Sequence, residues 1–274
     1  MINFVSINIV FILRKRVYGV SHYLEDKMDL IKSRIKYVCK MENEYLGEIT
    51  ICNEKSIIYN DNDNDIDKVD TSKYRPIVYL ENQSLVEAIL SIPNGESVTV
   101  LNGGSFYFPA RKFLAGELFD EENLCDNSYL YNVLKRNEAY YDQNSTSGMK
   151  NHELYTNRAL LVPNVRFGQE ETNRYANVIT CTPPKKTVEN ETDNSKTLME
   201  RINFIKEIVK QNPVDTLIIG TFGTERLYNQ DVSEVAGDFK NITRYLPVKK
   251  IIFAINDKNL YDEYVKQDFF YYCE

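Results

Sequence analysis

The sequence predicts an α/β fold, a sheet covered by helices on both faces. Three observations carry this: short apolar runs rich in β-branched residues, longer segments with helical spacing, and the alternation of the two along the chain. The runs are continuously apolar, as strands buried on both faces are. The chain has 274 residues, 43% of them hydrophobic and 27% charged. That suffices for one large domain with a real core, or for such a domain with a small N-terminal appendage.

At the N-terminus, Ile2 to Leu13 is mostly apolar and is followed by Arg14-Lys15-Arg16. The run is shorter than the ~20 residues a bilayer span requires. Its positive charges follow the apolar stretch, whereas a secretory signal places them before it. It reads as a packed strand, or as residues upstream of a true start at Met28. Asn60 to Ser72 is a polar, acidic loop. Asp61, Asp63 and Asp65 alternate as in a calcium loop, but Ile66 and Ser72 stand where its glycine and its bidentate glutamate belong. Residues 1–75 are therefore assigned to an extension with a polar loop, and residues 76–274 to the main domain.

Strands are predicted at Ile77–Leu80, Val98–Leu101, Ala159–Val162, Val178–Cys181, Thr216–Ile219 and Ile251–Ile255. Helices are predicted over Glu122–Glu138, Leu198–Gln211 and Val232–Tyr245. In the second, Met199, Ile202, Ile205, Ile208 and Val209 share one stripe. Lys185 to Lys196 reads as a second polar insertion.

The net charge is −7. An acidic balance argues against nucleic-acid or anionic-membrane binding, which needs a basic face. It leaves room for a small anionic ligand held by local donors. The five cysteines include no C-x-x-C pair, and only His22 and His152 could join them as soft ligands. No metal site is expected, no cofactor is implied, and an intracellular setting, cytoplasmic or nuclear, is the natural reading.

Ligand sites in such sheets lie beyond the carboxyl ends of the strands. Two loops qualify, one after Val98–Leu101 and one after Thr216–Ile219. The first reads VLNGGSFYFPARKFLAGELFDEENLC, from Val100 to Cys125. Read alone, Asp120-Glu121-Glu122 are acidic residues at a helix start, countering its dipole. Gly220-x-x-Gly223 alone is a tight turn. Tyr140-Tyr141 and Phe269-Phe270-Tyr271-Tyr272 could stack on a base, but packing is their default.

Taken together, these segments resemble the microbial-type poly(ADP-ribose) glycohydrolase family. Leu101-Asn102, Pro109, Gly116, Glu121-Glu122 and Leu124-Cys125 fall in the family's register without a gap. Leu154–Arg158, Val162–Val165, Asn177–Pro184, Ile219–Gly223 and Ile252–Ile255 follow in the family's order. The resemblance implies a macrodomain-like three-layer α/β/α sandwich with a mixed sheet and an N-terminal helical extension. It implies hydrolysis of the ribose–ribose glycosidic bond, with ADP-ribose or poly(ADP-ribose) on proteins as the partner. By the same resemblance Glu122 is the catalytic acid and Glu121 holds the ribose hydroxyls. Asn102 and Ser105 position the ribose, Gly116 belongs to the first loop, and Gly220, Phe222, Gly223 and Asn229 form the second. Two neighbouring side chains at a helix start diverge by about 100°, so only one carboxylate can face the leaving oxygen.

The sequence also departs from the family. Ala110-Arg111-Lys112 replaces a glycine triplet, whose backbone N–H groups would approach a diphosphate closely. Arg111 and Lys112 either replace those donors with charged contacts or are solvated surface residues. Asp120 replaces a glutamine, Glu225 a glycine near the phosphates, and Leu227 an aromatic platform. Three functional readings follow: an ADP-ribose-directed glycohydrolase, a non-catalytic module that binds an altered nucleotide or a protein, and an enzyme for another nucleoside-linked glycoside.

Overall fold

The computed structural model describes residues 26–61, 74–110, 113–114, 119–147, 153–169 and 171–267. Helix α1 is described over residues 26–44. It is followed by α2 (Leu46–Glu54), β1 (Ile57–Asn60), β2 (Ile77–Glu81), α3 (Leu85–Ser91), β3 (Val98–Asn102), α4 (Asp120–Asp126), α5 (Leu130–Arg136) and α6 (Glu138–Ser147). Then come β4 (Arg158–Phe167), β5 (Arg174–Thr180), α7 (Glu191–Gln211), β6 (Thr216–Ile219), α8 (Val232–Thr243), β7 (Lys250–Ala254) and α9 (Lys258–Val265).

The strands form one seven-stranded sheet in the order β1-β4-β5-β3-β6-β7-β2. The sheet is mixed: β5, β3, β6, β7 and β2 run parallel, and β4 is antiparallel to both β5 and β1. Successive residues on a strand point to opposite faces, so each central strand feeds two cores. Val98, Val100, Ile218 and Ile252 pack into one with α3, α4 and α5. Leu101, Leu217, Ile219, Ile251 and Phe253 pack into the other with α7 and α8. This is the predicted three-layer arrangement, and it explains why the strands read as uninterrupted apolar runs.

Several details differ from the prediction. Strand β1, against the polar loop, was not anticipated; its residues 57–60 pair with residues 158–161 of β4. The helix predicted over Glu122–Glu138 is interrupted. The Ser128 hydroxyl donates to Leu124 O at 2.7 Å and accepts from Leu130 N at 3.0 Å, ending α4 and starting α5. In α7, Met199 is 46% exposed, and Leu198 is the buried residue that heads the stripe. The helix also begins earlier, at Glu191, inside the segment read as a polar insertion. Among the described residues, no helix is long and apolar enough to cross a membrane. Ile2 to Leu13 and most of the Asn60–Ser72 loop lie outside the described residues.

Helix α1 is tied to the loop that precedes α4. Arg34, 2% exposed, donates to Asp126 Oδ1 at 2.9 Å and to Phe113 O at 2.6 Å, with its guanidinium 4.6 Å from the Phe113 ring centre. A charge so buried is sustained by a paired carboxylate, a carbonyl and an aromatic face together.

Candidate active site

Strands β3 and β6 are neighbours at the centre of the sheet, so the loops beyond their carboxyl ends lie side by side. The first loop leads to α4, whose opening turn is Asp120-Glu121-Glu122. Glu121 and Glu122 are 7% and 3% exposed, and both line a cavity of ≈ 70 Å³.

The two carboxylates are held by different partners. Glu121 Oε2 accepts from the Ser105 backbone N at 3.0 Å, and Oε1 accepts from Asn102 Nδ2 at 3.3 Å. Asn102, fully buried, also donates to Thr180 Oγ1 at 3.1 Å. It stands behind Glu121 and does not line the cavity, whereas Ser105 does. Glu122 Oε2 accepts from the Phe119 backbone N at 3.2 Å, satisfying a donor at the helix start. Burial pushes the Glu121 carboxyl up to about 8. Glu121 therefore holds its proton at neutral pH.

The second loop turns sharply after β6, with φ 39° at Phe222 and 93° at Gly223. Phe222 contributes to the cavity wall, and its ring packs edge-on to Phe239 at 5.6 Å. Asp120 Oδ2 accepts from both the Thr221 backbone N and its hydroxyl, each at 3.1 Å. Glu225 Oε2 accepts from Gly223 N at 3.0 Å and lies 2.8 Å from the same Thr221 hydroxyl. Burial raises the Asp120 carboxyl, and burial together with the Asp120 charge raises Glu225 to about 7.

The remaining wall is aromatic. Phe106 stacks on Tyr155 at 4.4 Å, and the Tyr228 hydroxyl donates to Gly104 O at 3.2 Å, joining the two loops. Lys185 is the one cation among the described lining residues, and both oxygens of Glu153 bind it at 2.9 Å.

Of the sequence-predicted residues, Glu121, Glu122, Ser105 and Phe222 meet at this cavity. Gly220 and Gly223 shape the second loop: a Cβ at Gly220 would collide with Asp120 Oδ2, and one at Gly223 would meet Pro183 Cβ at 2.9 Å. Asn229 is exposed, with φ 58°, and does not line the cavity. Arg111, Lys112 and Gly116 lie outside the described residues. Sequence reasoning missed Glu153, Tyr155, Lys185 and Tyr228, which segments distant from the carboxylate pair deliver to the cavity. No group of three metal-ligating side chains occurs among the described residues.

The chain matches the family model "Microbial-type PARG, catalytic domain" over residues 25–170, more than half its length. Comparison with curated proteins gives no match. Among solved structures, poly(ADP-ribose) glycohydrolase from Thermomonospora curvata is similar at a TM-score of 0.74 and 15% identity, covering 88% of this chain and 99% of that one. The same enzyme bound to the inhibitor ADP-HPD gives 0.72 and 16%, with the same coverage. The glycohydrolase from Deinococcus radiodurans in complex with ADP-ribose gives 0.67 and 18%, covering 79% of this chain and 95% of that one. At these identities the structural likeness bears on the fold, and membership rests on the family match. This chain belongs to the microbial-type poly(ADP-ribose) glycohydrolase family.

Proposed function

We propose that this chain is an acid/base glycohydrolase acting on ribosyl bonds of ADP-ribose adducts. The observation that carries the reading is the pair Glu121 and Glu122, buried on one cavity wall and held by separate backbone donors. Cleaving a glycosidic bond requires a proton for the leaving oxygen and a water activated against an oxocarbenium-like centre. Glu122 supplies the proton and then deprotonates the water. Glu121, neutral at pH 7, both donates to and accepts from ribose hydroxyls, and Asn102 fixes its orientation. Ser105 stands beside Glu121 at the cavity wall.

The cavity is far smaller than the ~300 Å³ at the low end of ligand pockets. The cavity as it stands therefore admits only part of a nucleotide.

Release of ADP-ribose from labelled polymer tests the reading. Glu122→Gln should lower turnover at least about 100-fold, the scale of general acid–base catalysis, with ADP-ribose binding kept. Undiminished turnover in that variant would overturn the assignment. The competing reading, a binding module without turnover, draws on the carboxylates that crowd the cavity. Wild-type protein that binds ADP-ribose and releases none from polymer would decide for it.

A further inference from the structure

The donors of the second loop already have an anion. Thr221 N and Gly223 N, at the carboxyl end of a central parallel strand, are positions where backbone N–H groups commonly receive a phosphate. Here Asp120 takes the first and Glu225 the second. The positive φ values at Phe222 and Gly223 turn this stretch of backbone into a concavity, and a side chain two residues further on folds back into it. The two carboxylates also converge on one hydroxyl: Thr221 Oγ1 lies 3.1 Å from Asp120 Oδ2 and 2.8 Å from Glu225 Oε2. A hydroxyl has one proton to donate. Satisfying both contacts requires one of the two carboxyls to be protonated and to donate to Oγ1, so the pair carries a single negative charge.

We propose that Glu225 is a specificity-determining residue, an internal carboxyl seated on the second loop that a phosphate-bearing ligand must displace. The inference deepens the glycohydrolase reading and rests on it for the choice of ligand. Asp120 is anchored from behind at the start of α4, against Gly220. Glu225 lies in the loop itself, where a change of side-chain rotamer vacates the Gly223 N–H. The arrangement selects against ligands that bring an unshielded phosphate to this loop and tolerates a neutral ribosyl group at Glu121 and Glu122. Its effect on affinity is electrostatic: a ligand phosphate approaching Gly223 meets a carboxylate where the loop offers a donor.

Calorimetry on the full chain tests this, with ADP-ribose and ribose as probes. Glu225→Gly should tighten ADP-ribose binding at least about tenfold and leave ribose binding within about twofold. Glu225→Gln keeps the shape of the side chain and its contact to Gly223 N–H without the charge, so it reports even if the glycine variant does not fold. It should also tighten ADP-ribose binding, by a smaller factor. A variant that folds yet binds ADP-ribose no tighter than wild type, or tightens ribose equally, overturns the proposal. Failure of turnover does not enter this measurement, so the two readings fail separately.

Discussion

A methyl group at Gly104 would collide with Glu121 Oε1 and meet Asn102 Nδ2 at 2.9 Å. The glycine is thus explained by the carboxyl packed against it. Glu121 itself is destabilised when ionised. Its ordinary value is 4.5, and in the fold it rises to about 8. Between those values the unfolded chain has released its proton and the folded chain retains it, so stability falls as pH rises through that window. Glu121→Gln removes this penalty. The variant should melt about 3 °C higher than wild type at pH 7.5, with no gain at pH 4, as read by calorimetric Tm at the two pH values.

At the scale of elements, α7 contributes more to the site than its apolar stripe suggests. Arg201 is fully buried, and its described partners are all neutral. Nε donates to Asn157 Oδ1 at 2.6 Å, Nη1 to Thr182 O, and Nη2 to Leu154 O at 3.2 Å and Tyr155 O at 3.1 Å. One side chain thereby ties the end of β5 to the segment that carries Tyr155, held at φ 61° against Phe106. A lysine cannot span these acceptors, because its three donors radiate from one atom. Arg201→Lys should cost about 2 kcal/mol in urea unfolding, since buried carbonyls lose their partners.

The same scale shows what the sequence makes legible. Thr216–Ile219 was predicted to the residue, because a buried parallel strand between polar breaks has no competing pattern. Strand β1 is only four residues long and abuts the polar loop, so its period is too short to register. The carboxylate pair was legible through motif spacing. The capture of Gly223 by Glu225 was not: the sequence shows a glycine replaced, and only the folded loop shows which donor the carboxylate takes.

Across the whole molecule, the N-terminal helices share the core of the sheet. Met41, Ile49 and Cys52 pack in the same cluster as Leu134 and Val162. The family match begins at residue 25, so it includes these helices. Through Arg34, α1 also fixes Phe113 and Asp126, on either side of the carboxylate turn. The shape of the cavity thus depends on a helix that contributes no residue to its described wall.

The placement of β2 has a consequence for how the protein is made. Among the described residues this edge strand pairs with β7 alone, and Asn82 Nδ2 reaches Ile255 O at 2.7 Å across a separation of 173 residues. During synthesis β2 leaves the ribosome long before its partner exists, and closing so long a loop is slow. Until then the apolar residues Val78 and Leu80 have no mate, a period in which nascent chains are prone to aggregate. Protease challenge of ribosome-bound chains should find full protection only once β7 has emerged. Protection of chains halted before Lys250 would show that the sheet closes without its last strand.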